Sequence, residues 1–366
     1  MDAEKILNGQ DYYVPRFQVK LRNRPLDQGV IYDIIQVSYK DNIEEIDSFE
    51  LTVNNWDAEN RTFKYSDQKL FDPGQRLELS MGYYHQNDWT KMITGEITSL
   101  RPTFPASGQP TLTVSGLNLL HRLRKKKRSD SYKTKTDTQI AKEIAKHLRV
   151  KVDPPTNGKE TPYDHLFQDD QYDIVFLMER ARRIDYDLYV VEEKTDTIYF
   201  GPSDEQKRVT FNLEYGKSLI QFQPNLTTAN QVAKVTVHGW NAARKQRISE
   251  SVTRDQIEIK NEGKGKGQFD IANAFGDREE IVTTPPVESK AEAKRVAKDT
   301  LRKIVKDMIK GTGSTIGLPD LRAGSILNIT GLGERFSGRY FVTATTHTIN
   351  DSGYTTQFEC RKEELK

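Results

Sequence analysis

Six histidines are the first places to look for metal or acid–base chemistry: His85, His121, His147, His165, His238 and His347. None is paired as His-x-His or His-Glu-x-x-His, the spacings that bring two imidazoles onto one ion. A metal centre would have to be assembled from distant segments, and a lone histidine beside a strand or helix end reads as a surface or satisfied core residue. Gly216-Lys217-Ser218 matches the end of a phosphate-binding loop, but Phe211 stands where that loop needs its first glycine, and Leu219 to Phe222 reads as a strand. No helix N-terminus would then face a phosphate. Gly311 to Gly317 fails as a dinucleotide motif because Ile316 replaces the third glycine, and as a nucleophile elbow because Thr312 replaces a glycine before Ser314. It reads as a flexible connector. Glycoside hydrolysis needs two carboxylates flanking the bond; Glu44-Glu45, Asp169-Asp170 and Glu192-Glu193 fall instead in turns, helix starts and solvated strand ends. Cys360 shares one strand face with Tyr354, Thr356 and Phe358, as a small buried hydrophobe would. No catalytic, cofactor-binding or metal-binding residue is assigned, and no cofactor is expected.

One charge run stands apart. Arg122, Arg124, Lys125, Lys126, Lys127 and Arg128 place six bases in seven residues. Such a run can bind phosphate backbones, yet no aromatic side chain interleaves with it to stack bases. The chain as a whole is balanced, 55 Lys and Arg against 53 Asp and Glu for a net +2, so nothing drives it toward nucleic acid or anionic lipid. The six bases read as a solvated rim segment, with docking onto an acidic protein surface as their functional reading.

The elements that must position these residues are mostly strands. Phe17, Val19 and Leu21, then Phe49, Leu51 and Val53, then Leu77, Leu79, Met81 and Tyr83 alternate with polar neighbours, and Leu112 and Val114 continue the pattern. A period of two with one wet face marks antiparallel sheet. The middle changes character: Thr136-Asp137-Thr138-Gln139 has the form of a capping box ahead of Ile140, Ala141, Ile144, Ala145 and Leu148 at helical spacing. A second helix is expected from near Asp170, burying Ile174, Leu177, Met178 and Ala181. Leu188–Val191 and Ile198–Phe200 flank Glu193 to Asp196 as a hairpin. Strands return from about 208, notably Gln231 to Trp240, followed by a mobile Gly/Lys loop at 263–267. A long helix is expected over about Glu288 to Ile309, with Ala293, Ala297, Leu301, Ile304 and Met308 on one stripe and Gly311 as its C-cap. Strands close the chain at 325–330, 339–349 and 354–361. The expected division is 1–125, a first β-barrel; 126–205, an α/β insertion; and 206–366, a second β-barrel including the 288–310 helix.

With 366 residues the chain is long enough for two or three domains. Its 35% hydrophobic content is below the ~45–50% of an ordinary globular domain, which points to polar surface on more than one side. No run approaches the ~20 apolar residues of a membrane span, and Met1-Asp2-Ala3-Glu4-Lys5-Ile6-Leu7 lacks the features of a signal peptide. A single cysteine makes no intrachain disulfide. Synthesis in the cytoplasm is expected, without membrane insertion.

The two ends echo each other. Asp72-Pro73-Gly74 before Leu77-Glu78-Leu79, Gly95-Glu96-Ile97, Ser107-Gly108 and Leu112-Thr113-Val114 have counterparts in Leu321-Arg322-Ala323-Gly324 before Ile326-Leu327, Gly338-Arg339-Tyr340, Ser352-Gly353 and Thr356-Gln357-Phe358. The expected fold is therefore mainly β (α+β): two related tube-type antiparallel β-barrels with a small α/β insertion and one long helix.

In order, Phe49 to Asn55, Pro73-Gly74, Gly95-Glu96-Ile97, Val114 to Leu123, Gln168-Asp169-Asp170 with Phe176-Leu177, Phe222-Gln223-Pro224, Val237-His238-Gly239-Trp240, Gly317-Leu318-Pro319, Leu321 to Gly324, Phe336 to Tyr340, His347 and Tyr354-Thr355-Thr356 run through nearly the whole chain. Together they resemble the phage late control gene D family, baseplate hub proteins of contractile tails and injection systems, similar to the hub portion of valine-glycine-repeat (VgrG) spike proteins. The resemblance implies a non-enzymatic homotrimer in a phage virion or injection particle, extracellular after release. Its implied partners are tail tube protein, baseplate wedge components and a separately encoded spike protein, joining a six-fold tube to a three-fold spike. A cell-wall hydrolase or carbohydrate-binding β protein is the alternative reading.

Overall fold

The computed structural model describes residues 14–362 except 68, 85–88, 154–159, 161, 185, 193, 195–196, 203–209, 242–243, 258–277, 284–286 and 288. His85, Glu193, the 263–267 loop, the N-terminal seven residues, Glu288 and most of the expected hairpin turn at 193–196 lie outside the described residues.

Six strands form the first third: β1 (Pro15–Leu21), β2 (Ile34–Asn42), β3 (Ser48–Asn54), β4 (Arg76–Tyr83), β5 (Thr90–Thr103) and β6 (Thr111–Asn118); β3 alternates buried and half-buried side chains as its sequence demands, whereas β4 buries Leu79 to Tyr83 on both faces. They lie in the order β1-β4-β5-β6-β3-β2, all antiparallel. Their inward faces bury Val19, Phe49, Leu51, Leu77, Leu79 and Ile93 in one cluster.

In the middle, β7 (Lys127–Lys135) pairs with β9 (Tyr163–Tyr172), and β8 (Lys151–Asp153), β11 (Thr197–Pro202) and β10 (Tyr186–Val190) form a three-stranded sheet. The strands of the expected hairpin are β10 and β11. Helix α1 (Asp137–Ala145) opens with the capping box, Gln139 N donating to Thr136 Oγ1 at 3.3 Å and Thr136 N to Gln139 Oε1 at 3.0 Å. Helix α2 (Asp173–Arg183) begins three residues later than expected, because Asp169 and Asp170 continue β9; Ile174, Leu177 and Ala181 are buried and Met178 partly so.

The last part repeats the first. β12 (Thr210–Glu214), β13 (Leu219–Leu226), β17 (Ile309–Ile316), β18 (Ile326–Thr330), β19 (Gly338–Asn350) and β20 (Gly353–Lys362) lie in the order β12-β18-β19-β20-β17-β13. By rank along the chain both sets read 1-4-5-6-3-2. The one topological difference is the first strand: β1 runs antiparallel to β4, β12 parallel to β18. Between β13 and β17 the chain leaves the sheet to form β14 (Lys234–Asn241), β15 (Gln246–Thr253) and β16 (Glu279–Val282), a separate sheet covered by α3 (Lys290–Lys306). β14 starts at Lys234 rather than Gln231. Ala293, Ala297, Leu301 and Val305 of α3 pack on Val235, Val237 and Val252.

Two expectations fail at Gly311. The helix is capped at Asp307, and Gly311 to Ile316 belong to β17 between β13 and β20, not to a flexible connector. The glycines are there for space: a Cβ at Gly311 would lie 2.6 Å from the Phe222 ring, and one at Gly313 2.5 Å from that of Phe358. Both rings fill the second core with Phe211, Leu327, Tyr340 and Cys360.

The detail of the repeat is finer than its sequence trace. Gly74 and Gly324, both with φ near +90° (86° and 89°), stand two residues before β4 and β18. Gly74 N donates to Ile97 O (2.7 Å) and Ile97 N to Gln75 O (3.0 Å); Gly324 N donates to Val342 O (2.8 Å) and Val342 N to Ser325 O (3.0 Å). Bulges follow at the same place in both hairpins, Ile97/Ser99 and Val342/Ala344. A second shared bulge lies at Ile34/Gln36 of β2 and Leu219/Gln221 of β13. Ile97 thus corresponds to Val342, which sets Gly95 against Tyr340 and not Gly338. The two glycines do different work: Gly95 has Leu117 O 2.5 Å from where its Cβ would be, whereas Gly338 takes a φ of +131°.

Candidate functional site

The two six-stranded units meet where β19 lies antiparallel against β2, Thr345 opposite Asp41, His347 opposite Tyr39 and Ile349 opposite Val37. This rung joins both into one continuous 13-stranded sheet. A carboxylate at such a place demands partners. Asp41 from the first unit accepts hydrogen bonds from Ala323 N (3.0 Å), Thr345 N (3.2 Å) and Thr345 Oγ1, all of the second. Arg322 reaches the other way, donating to Lys91 O (3.0 Å) and Met92 O (3.4 Å), with its guanidinium 4.6 Å from the Tyr39 ring centroid. The units therefore interlock through two reciprocal polar contacts.

Burial raises the Asp41 carboxyl above its ordinary range against the opposing pull of Arg322. Asp47, on the turn between β2 and β3, is raised to about 8, first by burial and then by the charge of Asp41, although Asn118 Nδ2 donates to it at 2.9 Å. Glu192, from the middle segment, is also raised by burial while accepting from Thr94 N (2.9 Å). The charge of Arg322 opposes the rise at all three acids.

His347 is fully buried beside them. Its Nε2 lies 2.9 Å from Leu321 O and its Nδ1 3.0 Å from Tyr354 OH and 3.1 Å from Thr356 Oγ1. A carbonyl only accepts, so Nε2 carries the proton and Nδ1 accepts. Burial, then Arg322, hold its basicity far below that of a free imidazole. With every ring nitrogen engaged, this is a satisfied core histidine. Elsewhere His121 meets Glu96 (2.7 Å), His147 meets Asp173 (3.3 Å), His165 meets Ser131 (2.8 Å) and His238 meets Arg247 (3.4 Å). Among the described residues no three His, Cys, Asp or Glu side chains gather as a metal site. Burial pushes the Cys360 thiol up, out of reach of a reactive thiolate.

The basic run divides. Leu119–Arg124 is a short 3₁₀ turn that buries Leu120 and Leu123 and turns Arg122 back to Glu96, Nε–Oε2 3.1 Å. Burial works to raise the Glu96 carboxyl, but Arg122 and His121 hold it below the usual range. Lys127 pairs with Asp170 (2.7 Å) and Arg128 with Asp173 (3.1 Å) on the facing strand and helix. Arg124, Lys125 and Lys126 are exposed and have no ion pair among the described residues. Glu44 and Glu45 are exposed, Asp169 and Asp170 likewise.

Sequence reasoning placed Arg322 inside a motif without its role, and missed Asp41 and Asp47. A faint signal existed for the first: Arg322 and Asp72 hold equivalent positions in the matching turns of the two units, Ser325 N donating to Arg322 O and Gln75 N to Asp72 O.

A family model described as the Alg8 N-terminal domain matches residues 13–351. The chain belongs to the Alg8 N-terminal domain family. No curated protein matches it in sequence. Among solved structures, a 43 kDa tail protein of prophage MuSo2 from Shewanella oneidensis superposes with a TM-score of 0.73 at 13% identity, covering 96% of this chain and 100% of that one. A tail protein from Neisseria meningitidis MC58 gives 0.70 at 13% identity over 96% and 97%. An Escherichia coli component of the type VI secretion system, described as similar to phage T4 tail proteins, gives 0.58 at 10% over 93% and 76%. At these identities the likeness is one of fold, and this family member has the fold of phage tail proteins. Among the described residues no helix is long and apolar enough to cross a membrane.

Proposed function

We propose that the protein is a structural hub of a contractile tail or injection particle, of the late control gene D kind, working as a homotrimer. The observation that carries this reading is the duplication: two β units of identical strand order, with matching bulges and glycine turns, in one sheet. Three chains then supply six similar units. A ring of them offers a six-fold face to tail tube protein while keeping the three-fold order a central spike requires. The fold shared with tail proteins and with a type VI secretion component supports the same assignment. The spike and the wedge components would be separate partners, and Arg124, Lys125 and Lys126 would dock an acidic surface on one of them. The role is one of interfaces without catalysis, its buried polar groups spent on holding two units together. Native mass spectrometry of the purified chain, alone and with tail tube protein, tests the reading: a trimer that captures tube protein is expected, and a strict monomer at micromolar concentration that captures neither tube nor spike would sink it.

A further inference from the structure

The internal junction is a template for one between chains. In each unit the strand of rank five is long: its first half pairs with rank four, and its second half extends past it. In the second unit that extension, Ala344–Ile349, is taken by β2. In the first unit the equivalent extension is Ser99–Thr103 with Phe104 just beyond the strand; Ser99–Thr103 has β6 on one side and no strand on the other among the described residues, and the Phe104 ring meets Phe63 edge-on at 5.0 Å. The equivalent of β2 in the second unit is β13, whose outer edge is likewise unpaired by any described strand. Among the described strands each chain thus leaves open the two halves of a joint it has already made once.

The side chains agree. At the internal joint the inward-facing residues Thr345, His347, Ile349, Val37, Tyr39 and Asp41 are all buried, at most 6% exposed. Shifting by the correspondences Ile97–Val342 and Gln36–Gln221 turns them into Leu100, Pro102, Phe104, Phe222, Pro224 and Leu226. Every one is apolar, and every one is exposed or half-buried, Phe104 to 59%. Leu100 packs on the first core and Phe222 and Leu226 on the second, each covered from one side only.

We infer that a second copy of this chain occupies these edges: β5 of one protomer, over Ser99–Thr103 and on into Phe104, pairs antiparallel with β13 of the next in the register of the internal joint. Leu100 then faces Leu226, Arg101 faces Asn225, Pro102 faces Pro224 and Phe104 faces Phe222 across the seam. This rests on the trimer reading above and gives it a specific joint. Two different edges meet, so the interface is head-to-tail, and with the three-fold rotation of the proposed trimer it closes a ring. The prolines define its character. Thr227 N donates to Met308 O, on the residue just before β17, so Pro224, three residues earlier, aims its donorless nitrogen at the open edge; Pro102, at the position of His347, does the same. One rung of the seam lacks both hydrogen bonds, and the apolar side chains carry the association. Prolines on an open edge also keep isolated chains from zipping onto wrong partners.

The Arg101→Cys/Asn225→Cys double variant of the full chain tests this. Those residues form a rung without backbone hydrogen bonds in the inferred register, with Cα atoms close enough for a disulfide, and Cys360 is buried. Under mild oxidation a covalent ladder ending at the ring size is expected on a non-reducing gel. Thr103→Cys/Asn225→Cys, off register by two residues, should give at least tenfold less. Native mass on the same samples separates the two claims. A trimer without on-register cross-linking overturns this seam and leaves the hub reading standing; a monomer at every concentration overturns both. Equal cross-linking of both pairs overturns the register.

Discussion

Arg322→Ala removes the guanidinium that crosses from the second unit into the first. It loses the 3.0 Å hydrogen bond to Lys91 O, worth ~2 kcal/mol for a charged donor, and the stack on Tyr39, worth ~2 kcal/mol when desolvated. The expected cost is ~4 kcal/mol. It should also depend on pH. Arg322 lowers the carboxyls of Asp41, Asp47 and Glu192, all of which burial raises. An acid whose folded pKa lies above its unfolded value binds its proton more tightly when folded, so it stabilises at low pH and that gain is lost as pH rises. For Asp47 the window runs from ordinary carboxylate values, near 3.8, to about 8. Without Arg322 the three acids hold their protons more tightly still, and each further tenfold in proton affinity costs ~1.4 kcal/mol above the window. Urea unfolding followed by tryptophan fluorescence at pH 5.5 and pH 8 should therefore show a larger loss at pH 8, by ~1–2 kcal/mol. A loss below ~1 kcal/mol, or one equal at both pH values, would refute the reciprocal lock.

Asp47→Asn keeps an acceptor for Asn118 and removes the titration, so the fall in stability of the wild type between pH 6.5 and 8, above the range where His347 titrates in the unfolded chain, should flatten in the variant's urea midpoints. His347→Leu should cost ~2 kcal/mol at pH 7 by leaving Leu321 O unmet. Because His347 is held neutral in the fold, wild-type stability should drop as pH falls below ~6.5, and the variant's urea midpoints should lack that acid limb. Gly317→Ala would set a Cβ 2.0 Å from Tyr354 Cγ, while Gly317 N is tied to Tyr354 O at 2.9 Å; the backbone has no retreat, and calorimetry should show a loss of ~3 kcal/mol. Arg124→Glu/Lys125→Glu/Lys126→Glu should leave stability within ~0.5 kcal/mol, and loss of a particle partner in pull-down would identify the docking surface.

The strands were legible because each buries one face: Phe49, Leu51 and Val53 announce β3 through their spacing alone. The capping box at Thr136 was equally plain, being a local contact between residues three apart. What was hidden depends on distant neighbours. Gly311 and Gly313 look like a loop until Phe222 and Phe358 are seen occupying their missing side chains. The repeat was visible as glycine turns, but its register was set by bulges, which are backbone events without a fixed residue type. Asp41 resembles any polar strand residue; only its burial against Ala323 and Thr345 makes it a lock. The basic run looked uniform, yet three of its six charges are matched by Glu96, Asp170 and Asp173 from elements far along the chain.

The duplication matters to function only if it lets a few chains build a ring of many units. Electron-microscopy class averages of the purified assembly, viewed down its axis, examine that idea directly. Six evenly spaced β lobes contributed by three chains are expected. A ring containing six chains, or particles with no axial ring at all, would contradict it.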